Sequence, residues 1–258
     1  MLVAAHSPIA NGIGGDRMIL RLCTHVALAL LLSAASFAQD EPAAPSEAEA
    51  TLMRMRDYIR DNPTLQFQTT FHSTGELRGA GSKGTARFYI RRPNSFRIEM
   101  TSNKRSTTSV SDGKTLTIFR PGQHKYAQLP AKDSILGTMY LAAGLMVIQA
   151  RMIDFFWTVD FSASRGTSVT IAATGPQTIG TRKCDGFTVE RFEDKWEVWL
   201  ETSGIPLPCK LVSRRLDGSG HTSQTNTFVW EVDQIPPPET FDFSPPKGSK
   251  EVGISEIK

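Results

Sequence analysis

The spacing of apolar residues along this chain changes three times. The first regular stretch has apolar positions three and four apart: Leu52, Met53, Met55, Tyr58 and Ile59 follow Ser46-Glu47-Ala48-Glu49. That S-x-x-E quartet is a capping box, in which Ser46 and Glu49 each satisfy a backbone N–H of the other. The pattern predicts an amphipathic helix starting here. Asn62-Pro63 ends it, because proline disfavours helix at the residue before it. From Leu65 the period is two. Leu65, Phe67, Thr69 and Phe71 alternate with Gln66, Gln68, Thr70 and His72, which predicts a strand with one buried face. Ala86, Phe88 and Ile90 repeat the pattern, as do Phe96, Ile98 and Met100. Val110, then Asp112-Gly113, then Leu116 and Ile118 read as a hairpin. Pro121-Gly122 marks the next turn, and His124 to Leu129 the return strand. The prediction is an antiparallel meander of about six strands.

A second set of strands is predicted around Val169–Ala173, Cys184–Arg191, Lys195–Glu201, Leu207–Arg215 and Thr222–Val232. Pro236-Pro237-Pro238 cannot donate to a ladder and closes the sheet. The tail Phe241-Asp242-Phe243-Ser244-Pro245-Pro246 reads as extended, with two aromatics to pack back on the domain. Between the two sets lies Ile135 to Ala150, without a single charge. As a helix it would be about 24 Å long, short of the ~30 Å hydrocarbon core of a membrane. Gly137, Gly144 and Gln149 interrupt it, and Arg151 and Asp154 follow at once. The stretch is therefore expected to cover the sheet rather than span a bilayer. Leu136, Met139, Tyr140, Ala143, Met146 and Val147 are its expected inward face.

The N-terminus changes the picture of where this domain works. Met18 to Ala38 has a basic residue, Arg21, an apolar run from Val26 to Leu32, and Ser36-Phe37-Ala38 at its end. That is the form of a signal peptide cut before Gln39. The apolar run is shorter than the roughly 20 residues of a membrane anchor. Residues 1–17 are either an extended leading region or lie upstream of a start at Met18. Residues 39–45 read as a polar linker, and 46–258 as one β-rich domain with α elements. Arg17, Arg21 and Asp16 lie in the leader, so its removal lowers the formal charge from +3 to +2. That is too little to suggest nucleic acid as a partner. After cleavage the protein is expected to be exported and not transmembrane.

Two cysteines remain, Cys184 and Cys209. An oxidising compartment favours a disulfide between them. Their places on the first and third strands of a predicted meander oppose it. Such strands lie about 9–10 Å apart, and a bridge needs Cα atoms within about 7 Å. The sequence leaves both outcomes open.

No catalytic signature is found. Gly79-Ala80-Gly81-Ser82-Lys83-Gly84 matches G-x-G-x-x-G, but a strand follows it where a dinucleotide site needs a helix, so a hairpin loop is expected. His72, His124 and His221 have no ligand at metal-site spacing. Ser219 beside His221 in a glycine turn does not form a nucleophile–base pair, and Glu190, Glu193 and Asp194 read as a solvated turn. A non-enzymatic protein without metal or cofactor is expected. Arg91, Arg92 and Arg97 belong to a basic stretch that is either a solvated sheet face or a contact face for anionic lipid headgroups or an acidic partner. Lys195-Trp196-Glu197-Val198-Trp199 places tryptophan on both faces of one strand, either as core or as the wall of an apolar cavity.

Several stretches in order resemble a group of predicted periplasmic proteins known as domain of unknown function 2092. They are Arg91 to Arg97, Asp112 to Leu116, Tyr126 to Pro130, Gly180 to Cys184, Trp196 to Leu200, Pro206 to Leu211 and Phe241 to Gly248. This group is similar in layout to the lipoprotein-localisation factors LolA and LolB. The resemblance implies a curved, incomplete antiparallel half-barrel covered by helices, with an apolar cavity for acyl chains. It implies no catalytic residues. On that architecture Phe67, Phe88, Leu136, Met139, Tyr140, Ala143, Met146, Val147, Trp196 and Trp199 are the cavity candidates. The expected partner is a lipid or the acyl chains of a lipoprotein. The alternative is an envelope protein that binds another protein, its cavity filled by its own side chains.

Overall fold

The computed structural model describes residues 46–75, 81–146, 150–162, 169–215 and 222–257. The leader and linker, most of the first glycine loop and the loop bearing Ser219 and His221 lie outside them. Helix α1 spans Glu47–Asp61. Its capping box is formed: the Glu49 N–H donates to Ser46 Oγ at 3.2 Å, and the Ser46 N–H donates to the Glu49 carboxylate at 2.6 Å. Leu52, Met55 and Ile59 form its buried stripe.

Six strands follow: β1 (Thr64–Thr74), β2 (Lys83–Arg91), β3 (Ser95–Ser102), β4 (Ser106–Ser111), β5 (Thr115–Arg120) and β6 (Lys125–Pro130). Helices α2 (Ile135–Met146) and α3 (Ala150–Trp157) lead to β7 (Val169–Ile179), β8 (Arg182–Arg191), β9 (Asp194–Glu201), β10 (Pro208–Arg215) and β11 (Ser223–Trp230). A two-residue β12 (Lys250–Glu251) lies parallel to β6. All belong to one sheet in the order β12-β6-β5-β4-β3-β2-β1-β11-β10-β9-β8-β7. The two meanders meet where β1 pairs with β11, antiparallel. The sheet is curved and unclosed, with β12 at one edge and β7 at the other.

Strand alternation sorts the faces. Phe67, Phe71, Phe88, Ile98, Val198, Trp196 and Phe228 point inward and are fully or almost fully buried. The helices pack over this same face: α2 against β4 and β5, α3 against β10, and α1 against α3 and β7. The tail returns as expected. Phe241 is buried, and the Phe243 ring lies 5.7 Å from Phe119 and 5.3 Å from Tyr126.

Three features differ from the sequence reading. The uncharged run is not one helix. Helix α2 ends at Met146, and a separate α3, absent from the prediction, carries Met152, Ile153, Phe155, Phe156 and Trp157 into the core. Strand β7 continues to Ile179, six residues beyond the predicted end. Its second half, Ala172 to Thr178, is exposed on both faces, so no apolar alternation marks it. The short β12 carries no hydrophobic signal either.

Cys184 and Cys209 are joined, with Cα atoms 6.7 Å apart. The geometric objection holds for regular ladders, and this one is irregular. Pro208 pairs with Leu200 and Lys210 with Trp199, which leaves Cys209 as the extra residue of a bulge. A bulge bends its strand, and here it lies where β10 begins, beside the first turns of β8.

Candidate functional site

The concave side of the sheet is the site that the cavity candidates define. Phe67 and Phe88, cross-strand partners on β1 and β2, stack with centroids 4.6 Å apart. Trp230 lies 4.5 Å from Phe67 on the other side. Helix α3 drives two rings into this wall: Phe156 lies 5.7 Å from Phe228, and Phe155 lies 5.8 Å from Trp196. The Trp196 indole N–H donates to the Arg151 carbonyl at 3.3 Å, fixing α3 to β9. The interior around β1, β2 and β11 is thus an aromatic cluster closed by its own side chains. Phe155, Phe156, Phe161, Phe228 and Trp230 are not among the residues expected from sequence. The signal for the helical ones is present, since Met152, Ile153, Phe155 and Phe156 have amphipathic helical spacing.

The lid helix α2 lies over β4 and β5. Its buried residues are Ile135, Thr138, Met139, Ala142 and Ala143, while Leu136, Tyr140 and Leu141 are half-buried against the core. Met139 and Ala143 therefore lie on the expected inward face. Leu136 and Tyr140 sit at its margin, a correction of one helical position. Val147 lies outside the described residues, and so does the side chain of Met146.

The N-terminal half of α2 is tied at two points. The Lys132 N–H donates to Thr138 Oγ1 at 2.9 Å, and the Asn94 amide donates to the Lys132 carbonyl at 2.7 Å. Further along, the Tyr140 hydroxyl donates to the Asp154 carboxylate of α3. Burial, and then this hydrogen bond, push the Tyr140 phenol well above the ordinary tyrosine range. At the β7 edge the concave side is less covered. A recess of about 270 Å³ opens between the first turn of α1 and strands β7 and β8, with Ala48, Ala173 and Phe187 on its wall and Glu47 and Asp185 on its rim.

Two further predictions need correcting. Trp199 is not in the interior with Trp196, because β9 alternates. It lies on the outer face, with Lys210 Nζ 4.6 Å from its ring centre. The three arginines do not form a free contact face. Arg92 donates to the carbonyls of Ile59 and Asn62 at 2.6 and 2.9 Å, capping α1. The Arg91 guanidinium lies 4.3 Å over the Phe241 ring, and Arg97 donates to Glu99 at 2.7 Å. Among the described residues no cluster of His, Cys, Asp or Glu could hold a metal ion, and no helix is long and apolar enough to cross a membrane.

One open antiparallel sheet with helices on its concave side defines the class of this protein. The family model described as predicted periplasmic protein (DUF2092) matches residues 48–255, and the chain belongs to that family. No curated protein matches it. Among solved structures it is similar to the Mycobacterium tuberculosis lipoprotein LppX, at 14% identity over 73% of this chain and 97% of that one, with a TM-score of 0.45. An uncharacterised conserved protein from Thermus thermophilus matches at 12% identity, over 80% and 98% of the two chains, with a TM-score of 0.46. A LolA superfamily protein from Nitrosomonas europaea matches at 8%, over 76% and 97%, with a TM-score of 0.37.

Proposed function

We propose that this protein is exported, loses residues 1–38, and holds an apolar ligand, a lipid or the acyl chains of a lipoprotein, under α2 on the concave face. It does so without catalysis. The observation that carries the reading is α2 itself. Its twelve residues include no charge, and its half-buried Leu136, Tyr140 and Leu141 lie beside the fully buried stripe. A helix apolar all round needs cover on every side. An acyl chain lying along the half-buried side of α2 supplies it, and the 270 Å³ recess between α1, β7 and β8 is a second, separate opening on the concave side. Each 100 Å² of acyl surface buried gives about 2.5 kcal/mol. A wall of Phe and Trp rings sets little preference for chain length, as suits a carrier.

Two measurements test this. Native mass spectrometry and lipid extraction of protein taken from a bacterial periplasm should find a bound lipid on a chain beginning at Gln39. Brominated fatty acids should also quench the interior tryptophans Trp157, Trp196 and Trp230 in a Trp199→Phe variant, where the outer-face signal is gone. Finding neither bound lipid nor quenching would overturn the carrier reading. The closed aromatic cluster around Phe67 and Phe88 would then favour an envelope protein that binds another protein.

A further inference from the structure

The outer, convex face of the sheet carries a feature the carrier reading does not use. A groove of about 630 Å³ crosses β11, β1 and β2 near their turn ends. Register explains its shape. Thr227 pairs with Thr70 and Thr70 with Thr85, so three short side chains lie abreast. One outward row further on, Thr225 pairs with His72 and His72 with Lys83. These two rows are the walls of the groove, and the ladder pair Phe71 and Gly84 lies between them.

Asn103 closes one end and is held rigidly. Its side-chain oxygen accepts from the Lys83 N–H at 3.0 Å, its own N–H donates to the Lys83 carbonyl at 3.0 Å, and its amide donates to Gly81 at 3.2 Å. Gly84 permits this closure. A Cβ there would sit 2.0 Å from the Thr101 carbonyl oxygen, so β3 approaches closer than any side chain allows.

The chemistry of the lining is one-sided. His72 and Lys83 stand directly opposite across the β1–β2 ladder, about 5 Å apart at Cβ. Among the described residues, no carboxylate lines the groove. Thr70, His72, Lys83 and Thr85 are exposed, and Thr225 and Thr227 are half-buried, so all six reach a ligand lying in the groove. We propose that this groove binds a phosphate carried on a polyol, the Lys83 ammonium and His72 imidazole taking the oxyanion and the threonine hydroxyls taking the polyol. Threonine hydroxyls both donate and accept, which matches a vicinal diol. A lysine facing an imidazole with no acid between them is matched by an anion placed there.

The test is titration calorimetry of the mature chain with inorganic phosphate, glycerol 3-phosphate, and vesicles of phosphatidylcholine with and without phosphatidylglycerol. Glycerol 3-phosphate should bind more tightly than inorganic phosphate. A His72→Gln/Lys83→Gln double variant should lose at least about tenfold in affinity for both, at unchanged thermal stability, and Lys83→Arg should retain most of it. Thr70→Val/Thr227→Val should abolish the preference for glycerol 3-phosphate over phosphate. Heat only with the soluble ligand identifies a free polyol phosphate, and heat only with phosphatidylglycerol vesicles identifies a lipid headgroup; either supports the proposal. No heat with any of them at millimolar concentration, or affinity unchanged in the double variant, overturns it.

Discussion

At Gly84 a single hydrogen in place of a side chain decides how two strands meet. The nearest atoms to a methyl placed there are backbone, the Thr101 oxygen at 2.0 Å and Ser102 Cα at 2.7 Å. Neither can rotate away. Gly84→Ala should therefore destabilise the domain by about 2 kcal/mol or more, at the upper end of single-residue effects, as read from urea unfolding. Arg92 is the second such position. It stands in a basic run that suggests a surface charge, yet its guanidinium closes the C-terminal carbonyls of α1. Burial lowers its pKa, and Asp61 opposes that shift only in part. Arg92→Met keeps the aliphatic stem and removes both charge-assisted hydrogen bonds. The expected loss is about 1.5–3 kcal/mol, with frayed α1 amides in hydrogen exchange. Charge runs read alike from sequence whether they face solvent or a helix end, which is why Arg91, Arg92 and Arg97 resemble a contact face until their partners are seen.

At the scale of elements, strand alternation is the most legible signal. Phe67, Phe88 and Trp196 fall on the concave side as period two requires, and the same rule applied to β9 puts Trp199 outside. The helices are less legible for a physical reason. A helix apolar all round has no polar side to set its phase. Hydropathy therefore turns Leu136 and Tyr140 of α2 inward, where Ile135 and Thr138 are the buried residues. Thr138 is buried because its hydroxyl serves the Lys132 N–H, a role no hydropathy pattern reveals. The pairing of α2 with α3 is also hidden, since its side-chain hydrogen bond joins Tyr140 to Asp154, fourteen residues on, a spacing no helical period marks. That contact makes a prediction. Tyr140→Phe should leave the fold intact and loosen α2, raising exchange of its amides about tenfold. A phenol whose folded pKa is raised contributes stability in full below the ordinary tyrosine value of about 10, and loses it as pH rises above that value. The wild type should therefore lose stability above about pH 10 more steeply than Tyr140→Phe, measured by thermal melting as pH is raised through that value.

For the whole molecule, an open sheet has a gradient of stability built into its order of strands. β1, β2 and β11 lie at the centre, bonded on both sides and sealed by the aromatic cluster. β7 lies at the edge, carries no charged side chain, and is exposed on both faces from Ala172 to Thr178. Gly175 and Pro176 interrupt it, a bulge and a missing donor of the kind that keep edge strands from pairing with other chains. The Cys184–Cys209 bond sits between centre and edge, tying β8 to β10 across β9. It closes a loop 25 residues apart in sequence, which in the chain-entropy account stabilises the folded state by about 3.5 kcal/mol. A Cys184→Ala/Cys209→Ala variant should lose that amount in urea unfolding, and the loss should be uneven along the sheet. Hydrogen exchange should rise most in β7, β8 and β9, whose link to the centre then rests on the β9–β10 ladder and its bulge. β1 and β2 should change only with global unfolding. If all strands lose protection equally, the bond stabilises the molecule as one cooperative unit, and the flank from β7 to β9 has no independent mobility for admitting a ligand at its edge.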